Sequence, residues 1–469
     1  MTTKTSDHNR TRRLLLKGLG GGLLATAGIS LLPPRLNKLL SPIGLAEAQT
    51  AYPPPDLFFA GTDGWISLPK TPAIFSNSLG VKTHPDPLAP DPFSTYIFGF
   101  RNVTGLTDTQ RAAQKNKAQH SAPMFWLDEF NPANPKDFRM QLTNLGLALR
   151  PDLFDAHTIH WHGFRNVITF FDGEPTGSIA VTTGRIFQYI YRPRDPGTYM
   201  FHCHVEDVEH VHMGMTGPVF VRPRQNGTSK TYQGRNYTKF AYNDGDGSTG
   251  YDREFAMFCS EVWGDSHWAD AHIQLPEWSD YRADFCLLNG RVYPDTLAPN
   301  APLDPTAFNS PATLAALHAL PVQVDGGGDL VAPAGRPDLQ YQPLSALVTC
   351  NAGERVLLRF ANLGFKEAAM TLAGIKMRVV GKDATPMAGR DGTDTSFEAS
   401  TVSFGAGESI DAIFTAPPKT GAGYDTYVLY DRAYERSNNL ANGNVGGGRR
   451  TEVRVYAAGT LPPQSLPNT

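Results

Sequence analysis

The sequence lacks any marked excess of charge. Its 469 residues include 42 Lys and Arg against 45 Asp and Glu, so the formal net charge is only -3. A protein that binds nucleic acid by charge needs a strongly basic surface, and this composition offers no basis for one. Beyond its N-terminal segment the sequence also lacks a long apolar run, and a membrane-spanning helix needs about 20 such residues. These absences exclude nucleic-acid binding by charge and a membrane span outside that segment.

Cysteine is scarce as well, with four residues: Cys203, Cys259, Cys286 and Cys350. The last three lie in apparent strands of the C-terminal half, where an oxidising compartment would permit one disulfide among them. The sequence does not select a pair, and buried free thiols are an equally good interpretation. Cys203 stands apart because it alone lies among histidines.

Residues that make turns are abundant, with 45 Gly and 37 Pro. Such a composition favours many turns over long helices. Runs rich in β-forming residues and bounded by Gly, Pro or Asp occur at 137–146, 184–193, 197–204 and 216–223. We therefore predict an all-β chain of Greek-key β-sandwich or barrel domains, with residues 226–250, rich in Gly and Ser, as a linker.

The N-terminal segment is predicted to be a targeting signal. Arg12 and Arg13 precede an apolar, Gly-rich run over residues 18–32, as in twin-arginine export signals, and Ala46-Glu47-Ala48 provides a small-residue cleavage pattern. The signal would span residues 1–48, and the mature protein would be periplasmic or extracellular. A membrane anchor is the alternative, although the apolar run is shorter than the length a span needs.

The most informative segment is YMFHCHVEDVEHVHMGM, over residues 199–215. Neighbouring side chains of a β-strand point to opposite faces, so Cys203 would face one way while His202 and His204 face the other. One strand would then serve two metal sites. A Cys thiolate with two His nitrogens and a Met sulfur, here His210 and Met215 with a further His, is the ligand set of an electron-transfer copper.

A second histidine motif, HTIHWHG, lies upstream and contains His157, His160 and His162. The two motifs together hold seven of the thirteen histidines in the chain. An isolated His is usually a core or solvent-exposed side chain, but this clustering around one Cys and one Met indicates metal ligands.

Together the two motifs resemble the multicopper oxidases, the family of laccases, bilirubin oxidases and cuprous oxidases, and more distantly the copper nitrite reductases. The resemblance implies cupredoxin-like domains, copper as cofactor and oxygen as electron acceptor. It also implies ligands for three kinds of copper: His157, Cys203, His210 and axial Met215 for type 1; His160 for type 2; His162, His202 and His204 for type 3. Single electrons would then pass from Cys203 to its neighbouring histidines.

Three local points accompany this resemblance. Five residues separate His204 from His210, a longer loop than the family has, so His212 competes with His210 as a ligand, and the spacing to Met215 favours His210. Asp172, in FFDGEP, is predicted to donate protons near the histidines, with an Asp-Gly turn as the alternative. Electrons are expected to enter near an exposed type 1 His, where Glu206 and Asp207 are solvated loop charges that could guide a cationic donor.

The second half of the sequence repeats the first. The runs at 354–364, 407–418 and 423–432 match those at 137–146, 184–193 and 197–204 in order and pattern. This predicts two related β-domains, 50–225 and 251–460. The aligned positions of the second domain lack ligands: Ala368, Thr371 and Ala373 replace the HTIHWHG histidines, and Tyr430, Asp431 and Arg432 replace HCH.

Half of a three-copper cluster is therefore missing from this chain. Three interpretations stay open: a cluster completed across a homo-oligomer interface, a smaller copper site as in nitrite reductase, or a type 1 copper alone in an electron carrier. The electron donor is a small molecule or a protein. Phenols and cuprous, ferrous or manganous ions are all compatible, although no Met-rich or acidic metal-collecting tract favours a dedicated metal oxidase.

Overall fold

The computed structural model describes residues 53–69, 74–75, 82–439 and 446–469. The predicted signal, residues 1–48, lies outside the described residues. Pro55–Thr469 form one compact unit. Within the described ranges, no helix has the length and apolar character needed to cross a bilayer.

The strands of the first half are β1 Leu57–Ser67, β2 Ile74–Phe75, β3 Lys82–His84, β4 Ser94–Asn102, β5 Phe125–Asp128, β6 Phe138–Gly146, β7 His160–His162, β8 Ile186–Tyr191, β9 Gly197–His202 and β10 Thr216–Arg222. Eight of them form a sandwich of two four-stranded sheets, with strand orders β4-β1-β6-β8 and β5-β10-β9-β7, while β2 and β3 pair separately. Two short helices accompany them, α1 Asp108–Ala112 and α2 Asp207–Met213. Strand β6 alternates buried and half-buried residues along its whole length, which is why its sequence predicts a strand.

The second half forms a similar sandwich after a hairpin, β11 Lys230–Tyr232 and β12 Arg235–Tyr237, within the predicted linker. Its strands are β13 Arg253–Val262, β14 Phe285–Leu288, β15 Val348–Asn351, β16 Arg355–Asn362, β17 Ala368–Leu372, β18 Met377–Lys382, β19 Thr385–Pro386, β20 Phe397–Ala399, β21 Thr401–Phe404, β22 Ser409–Thr415, β23 Asp425–Asp431 and β24 Arg450–Tyr456. The helices are α3 Gly264–Ala271 and α4 Pro311–Ala315. Short 3₁₀ turns lie at Thr169–Phe171, Trp278–Asp280, Asp295–Leu297, Pro305–Phe308, Pro337–Leu339 and Tyr434–Arg436.

The two sandwiches share one topology. Strand β1 pairs in parallel with β6, as β13 does with β16, and β5 pairs in parallel with β10, as β15 does with β24. The pairing of His160 with His202 across β7 and β9 is matched by Thr371 with Tyr430 across β17 and β23. The predicted all-β fold is thus confirmed. The domain limits stay predictions, and the strands of the two sandwiches lie inside them.

A buried ionic network joins the two sandwiches beside β9. Arg359 donates to Glu254 at 3.0 Å and to Asp411 at 3.4 Å, and Arg222 of β10 donates to Glu254 at 3.1 Å. The Thr198 hydroxyl of β9 donates to Asp411 at 2.5 Å. Because groups in such a network are costly to leave unpaired once buried, it holds β9 in a defined position against the second domain.

The four cysteines are buried and free. Of the two interpretations that the sequence left open for Cys259, Cys286 and Cys350, the structure contains the free thiols.

Candidate metal centre

A first group of donors lies in the core of the first domain. The ligand atoms of His157, Cys203 and His210 lie within 4.8 Å of one another, and all three residues are buried. His157 is held by an isolated bridge to Val181, Cys203 follows β9, and His210 lies on α2. The Cys203 Sγ is 3.2 Å from His210 Nδ1 and accepts the Thr158 N–H at 3.4 Å.

This group has the donors that copper requires. Neither ring nitrogen of His157 has a hydrogen-bond partner although both are buried, and such groups are costly unless something binds them. Burial opposes ionisation of the Cys203 thiol, yet His210 and His157 outweigh it and lower the pKa of Cys203 well below its usual range. Burial likewise works against a charge on His210, but the Cys203 thiolate and Asp155 raise the pKa of His210. A thiolate and two imidazoles in a dry core fit an electron-transfer copper.

Met215 lies beside this group, immediately before β10. A Cβ at Gly61 would meet the His157 Cδ2 at 2.8 Å and the Met215 Cε at 3.3 Å, so both side chains pack against the bare backbone of β1. The Cys203 N–H donates to the Met215 carbonyl at 3.0 Å, which couples the thiolate to the Met segment.

The two histidines of α2 lie on opposite sides of the helix. His210 contacts Cys203, whereas His212 projects from the other side of the helix, where its Nε2 accepts the Trp263 N–H at 3.2 Å. The spacing argument for His210 therefore agrees with the geometry. The physical reason is helical periodicity, since residues two apart on a helix point in nearly opposite directions.

A second group of histidines lies on the other face of β9. The ligand atoms of His160, His162 and His202 lie within 4.8 Å of one another. The His204 ring is centred 4.8 Å from that of His160. Cys203 and its neighbours thus serve different groups, as the strand alternation predicts.

Hydrogen bonds to backbone carbonyls orient these rings. His160 donates from Nδ1 to the Asp172 carbonyl at 2.9 Å, and His202 donates from Nδ1 to the Cys203 carbonyl at 2.9 Å. His162 donates from Nε2 to the Gly407 carbonyl at 3.2 Å. A carbonyl can only accept, so these bonds leave the opposite nitrogen of each ring with its lone pair available to a metal.

The surface facing His162 comes from the same chain. Gly407, in the turn between β21 and β22, has a positive φ of 79°, and a Cβ there would lie 3.0 Å from the His162 Nε2. The second domain therefore supplies a carbonyl and close backbone contact at this position. Among its described residues, the second domain supplies no histidine to the group.

Asp172 lies next to the second group, and both interpretations of this residue are compatible with its position. Its carboxylate Oδ1 is 3.6 Å from His160 Nδ1, and burial raises the pKa of the carboxyl. Its N–H also closes a 3₁₀ turn by donating to the Thr169 carbonyl at 3.2 Å, and Gly173 follows with a positive φ of 74°.

The expected exposure of a type 1 histidine is wrong. The side chains of His157 and His210 are fully buried, and the outer edge of His210 is covered by Asp155, whose Oδ2 is 3.5 Å from His210 Nε2. The ligand atoms of Asp155, Glu206 and His210 form a further group within 4.8 Å of one another. Sequence reasoning missed Asp155, and its only signal was an acidic residue two positions before a proposed ligand.

In the second domain a buried ion network takes the place of the first donor group. Asp431 occupies the position of Cys203, and its N–H donates to the Arg449 carbonyl as that of Cys203 does to Met215. The Arg449 guanidinium is 2.9 Å from Glu261 and 3.4 Å from Asp431, and all three side chains are fully buried. Where the repeat lacks ligands, the second domain thus has the buried Arg449 guanidinium between two carboxylates.

Comparison with known proteins agrees with this geometry. A multicopper oxidase family model matches residues 143–226, the stretch that carries both histidine motifs. No curated protein sequence matches the chain. Two similar solved structures are the blue copper oxidase from Nitrosomonas europaea (18% identity, TM-score 0.51, 85% of each chain covered) and the multicopper oxidase mgLAC (19% identity, TM-score 0.51, 87% of each chain covered). At these identities the two structures establish the fold. The predicted resemblance to the multicopper oxidase superfamily is confirmed, and the His and Cys groups are compatible with the copper that this family model implies.

Proposed function

We propose that the protein is a copper-dependent oxidoreductase that accepts single electrons at the Cys203 group and passes them to the histidine group, where oxygen is reduced. The observation that carries this proposal is the adjacency of the two groups along one strand. Cys203 belongs to the first and His202 to the second, and the His202 ring is hydrogen-bonded to the Cys203 carbonyl at 2.9 Å. A single peptide unit therefore joins Cys203, where electrons would enter, to His202 of the group at which oxygen would be reduced.

The side chains of this protein would hold the copper ions in place, keep water away from the first group and deliver the protons that oxygen reduction needs. His157, Cys203 and His210 would hold one copper in a buried core, while His160, His162 and His202 would hold copper at the second group. Copper bound at both places supplies the one-electron chemistry. Asp172 would deliver protons beside His160, because oxygen reduction consumes them and burial keeps this carboxyl protonated to higher pH.

A nitrite-reductase-like enzyme is the second candidate, and one observation favours it. In the part of the second domain that the structure describes, the second group meets the Gly407 carbonyl and no histidine, which suits a smaller copper site than a cluster of three. A non-catalytic electron carrier is less favoured, since the three histidine rings gathered around His160 have no evident packing role.

Metal content and one variant test the proposal. Reconstituted protein is expected to show the intense blue absorption of a copper–thiolate bond and to consume oxygen with an electron donor. Cys203→Ser should remove the blue band and oxygen uptake while circular dichroism stays unchanged. About one copper per chain would support the carrier, about two the reductase type, and more than two the oxidase type. Copper-loaded protein without a blue band would refute the Cys203 site.

We further propose export, on the basis of Arg12, Arg13 and the apolar run that follows them. Replacement of both arginines by lysine should retain the protein inside the cell. A homo-oligomer that completes the second group stays a proposal as well, to be tested by the mass of the copper-loaded protein in solution.

A further inference from the structure

A cavity of about 420 Å³ lies between the first sandwich and the segment over residues 289–347, which connects β14 to β15. Two exposed residues of this connecting segment, Ala316 and Val324, belong to the wall, so one side of the cavity lies at the surface. Cavities of this size bind small organic molecules. Among the described residues that line it, none belongs to either donor group, so the cavity is separate from both proposed copper sites.

Most of the cavity wall is apolar. The connecting segment contributes four leucines that are only half-buried, Leu303, Leu317, Leu320 and Leu344. Removing apolar surface from water is favourable in proportion to its area. A molecule in the cavity would cover these side chains, so the wall favours a ligand that is itself mainly apolar.

One buried amide in the wall has a free donor. Gln119 lines the cavity and is only 4% exposed. Its Oε1 accepts from Arg101 Nη1 at 3.2 Å and from the Asn102 N–H at 2.9 Å. Because both neighbours are donors, they fix which end of the amide is oxygen and turn the NH₂ group away from them. Within the described part of the chain the Gln119 Nε2 has no hydrogen-bond partner, so an acceptor in the cavity would satisfy it.

The charged residues of the wall already have partners. Arg101 donates to four oxygen atoms at 3.0–3.4 Å. Asp56 accepts from Lys136 at 2.8 Å, and Asp304 accepts the Thr306 N–H at 2.9 Å. Burial of a further charge is costly unless that charge is paired. The cavity therefore favours a neutral ligand.

We propose that this cavity binds a neutral, mainly apolar molecule with a carbonyl group, such as a ketone or an ester. The carbonyl oxygen accepts a hydrogen bond from Gln119 Nε2, and the apolar part of the ligand lies against the leucines of the connecting segment. This binding goes beyond the proposed function, because it needs neither donor group and leaves the ligand chemically unchanged.

Three naphthalene derivatives of similar size test the class of ligand. Equilibrium dialysis with the copper-loaded full chain measures the binding of 2-acetylnaphthalene, which has a carbonyl, of 2-ethylnaphthalene, which has none, and of 2-naphthoate, which is an anion. We expect one saturable site for the ketone and affinities lower by about tenfold or more for the other two, because the hydrocarbon leaves Gln119 unpaired and the anion buries an unpaired charge. Equal affinities for ketone and hydrocarbon, tighter binding of the anion, or no saturable binding would overturn the inference.

Gln119→Glu removes the donor and keeps an oxygen that accepts from Arg101. The guanidinium beside it keeps the new carboxylate ionised, so an acceptor faces the ketone and its affinity should fall about tenfold or more. Gln114→Glu is the matched control. Gln114 is fully buried and accepts from Arg101 Nε at 3.4 Å, but it does not line the cavity. This control should bind the ketone as the unmodified protein does, and equal weakening in both variants would contradict the role of Gln119.

Val322→Trp tests the place of the ligand independently of the amide. Val322 lines the cavity and is half-buried, so an indole at this position reduces the space for a ligand. Ketone affinity should fall about tenfold or more while circular dichroism stays unchanged. Unchanged ketone binding by the folded variant would place the ligand elsewhere and overturn the inference, also in the case that Gln119→Glu does not fold.

Discussion

Gly61 offers a sharp test of the first donor group, because it touches two proposed ligands without being one. In Gly61→Ala the new methyl carbon would lie 2.8 Å from His157 Cδ2, about 0.6 Å short of the 3.4 Å at which ordinary contact begins, and 3.3 Å from Met215 Cε. The backbone of His157 is held by Val181, but its ring has no hydrogen bond to resist displacement, so the ring must give way. Overpacking of this kind costs about 1–3 kcal/mol, and a shift of about 0.6 Å exceeds the tolerance of about 0.2 Å in metal-ligand distances.

The assay is the blue absorption of the copper-loaded variant with its reduction potential. We expect weaker copper binding and a shifted blue absorption band. The free energy of unfolding in urea should fall by about 1–3 kcal/mol. Gly64→Ala, on the same strand, is the matched control: its methyl carbon would lie 2.8 Å from the Ala118 backbone nitrogen, away from both donor groups. The reasoning is refuted if Gly61→Ala binds copper with an unchanged band while losing as much stability as Gly64→Ala.

Three further predictions concern other parts of the molecule. Arg449→Met leaves Glu261 and Asp431 buried without their cation, so the free energy of unfolding in urea should fall by about 3–5 kcal/mol while the blue band of folded protein persists; a loss below about 1 kcal/mol would contradict this. Burial opposes ionisation of Glu254, but Arg222 and Arg359 outweigh it and lower its pKa to about 2 from the 4.5 of an unperturbed Glu. This contribution, about 3 kcal/mol, is present above pH 4.5 and lost as pH falls toward 2, so Glu254→Gln should remove that part of the pH dependence of unfolding. Asp172→Asn keeps the backbone carbonyl that orients its histidine, so oxygen uptake should slow about 100-fold while stopped-flow reduction of the blue copper keeps its rate; equal slowing of both would contradict a role in proton delivery.

The strands of the first domain were predictable because their signals are local. The run at 137–146 corresponds to Phe138–Gly146, in which burial alternates every two residues. The run at 216–223 corresponds to Thr216–Arg222, a short apolar strand that is buried almost throughout, and Gly or Pro ends each run. The repeat was predictable for the same reason, and it placed Thr371 and Tyr430 opposite each other as His160 and His202 are.

Other elements of secondary structure could not be predicted from composition. Residues 226–250 contain a hairpin and buried aromatic side chains such as Phe240 and Tyr242, although their Gly and Ser content favours a linker. Tyr242 is held by its hydroxyl, which donates to Asp411 at 2.6 Å from a strand far along the chain. Such a contact leaves no signal in the local sequence. Helix α2 was not predicted either, because five of its seven residues are Asp, Val or His, which are weak helix formers.

The sequence by itself determined which side chains are donors and how they divide between two groups. Side chains alternate along a strand by covalent geometry, so His202 and Cys203 had to face opposite sides wherever the strand lay. Only the tertiary structure decided what surrounds those groups. It brought Gly61 under His157, Gly407 against His162 and Asp155 over His210, and so buried a histidine that was expected at the surface. These contacts join residues distant in the chain, and their formation depends on how two sandwiches pack, which no local pattern encodes.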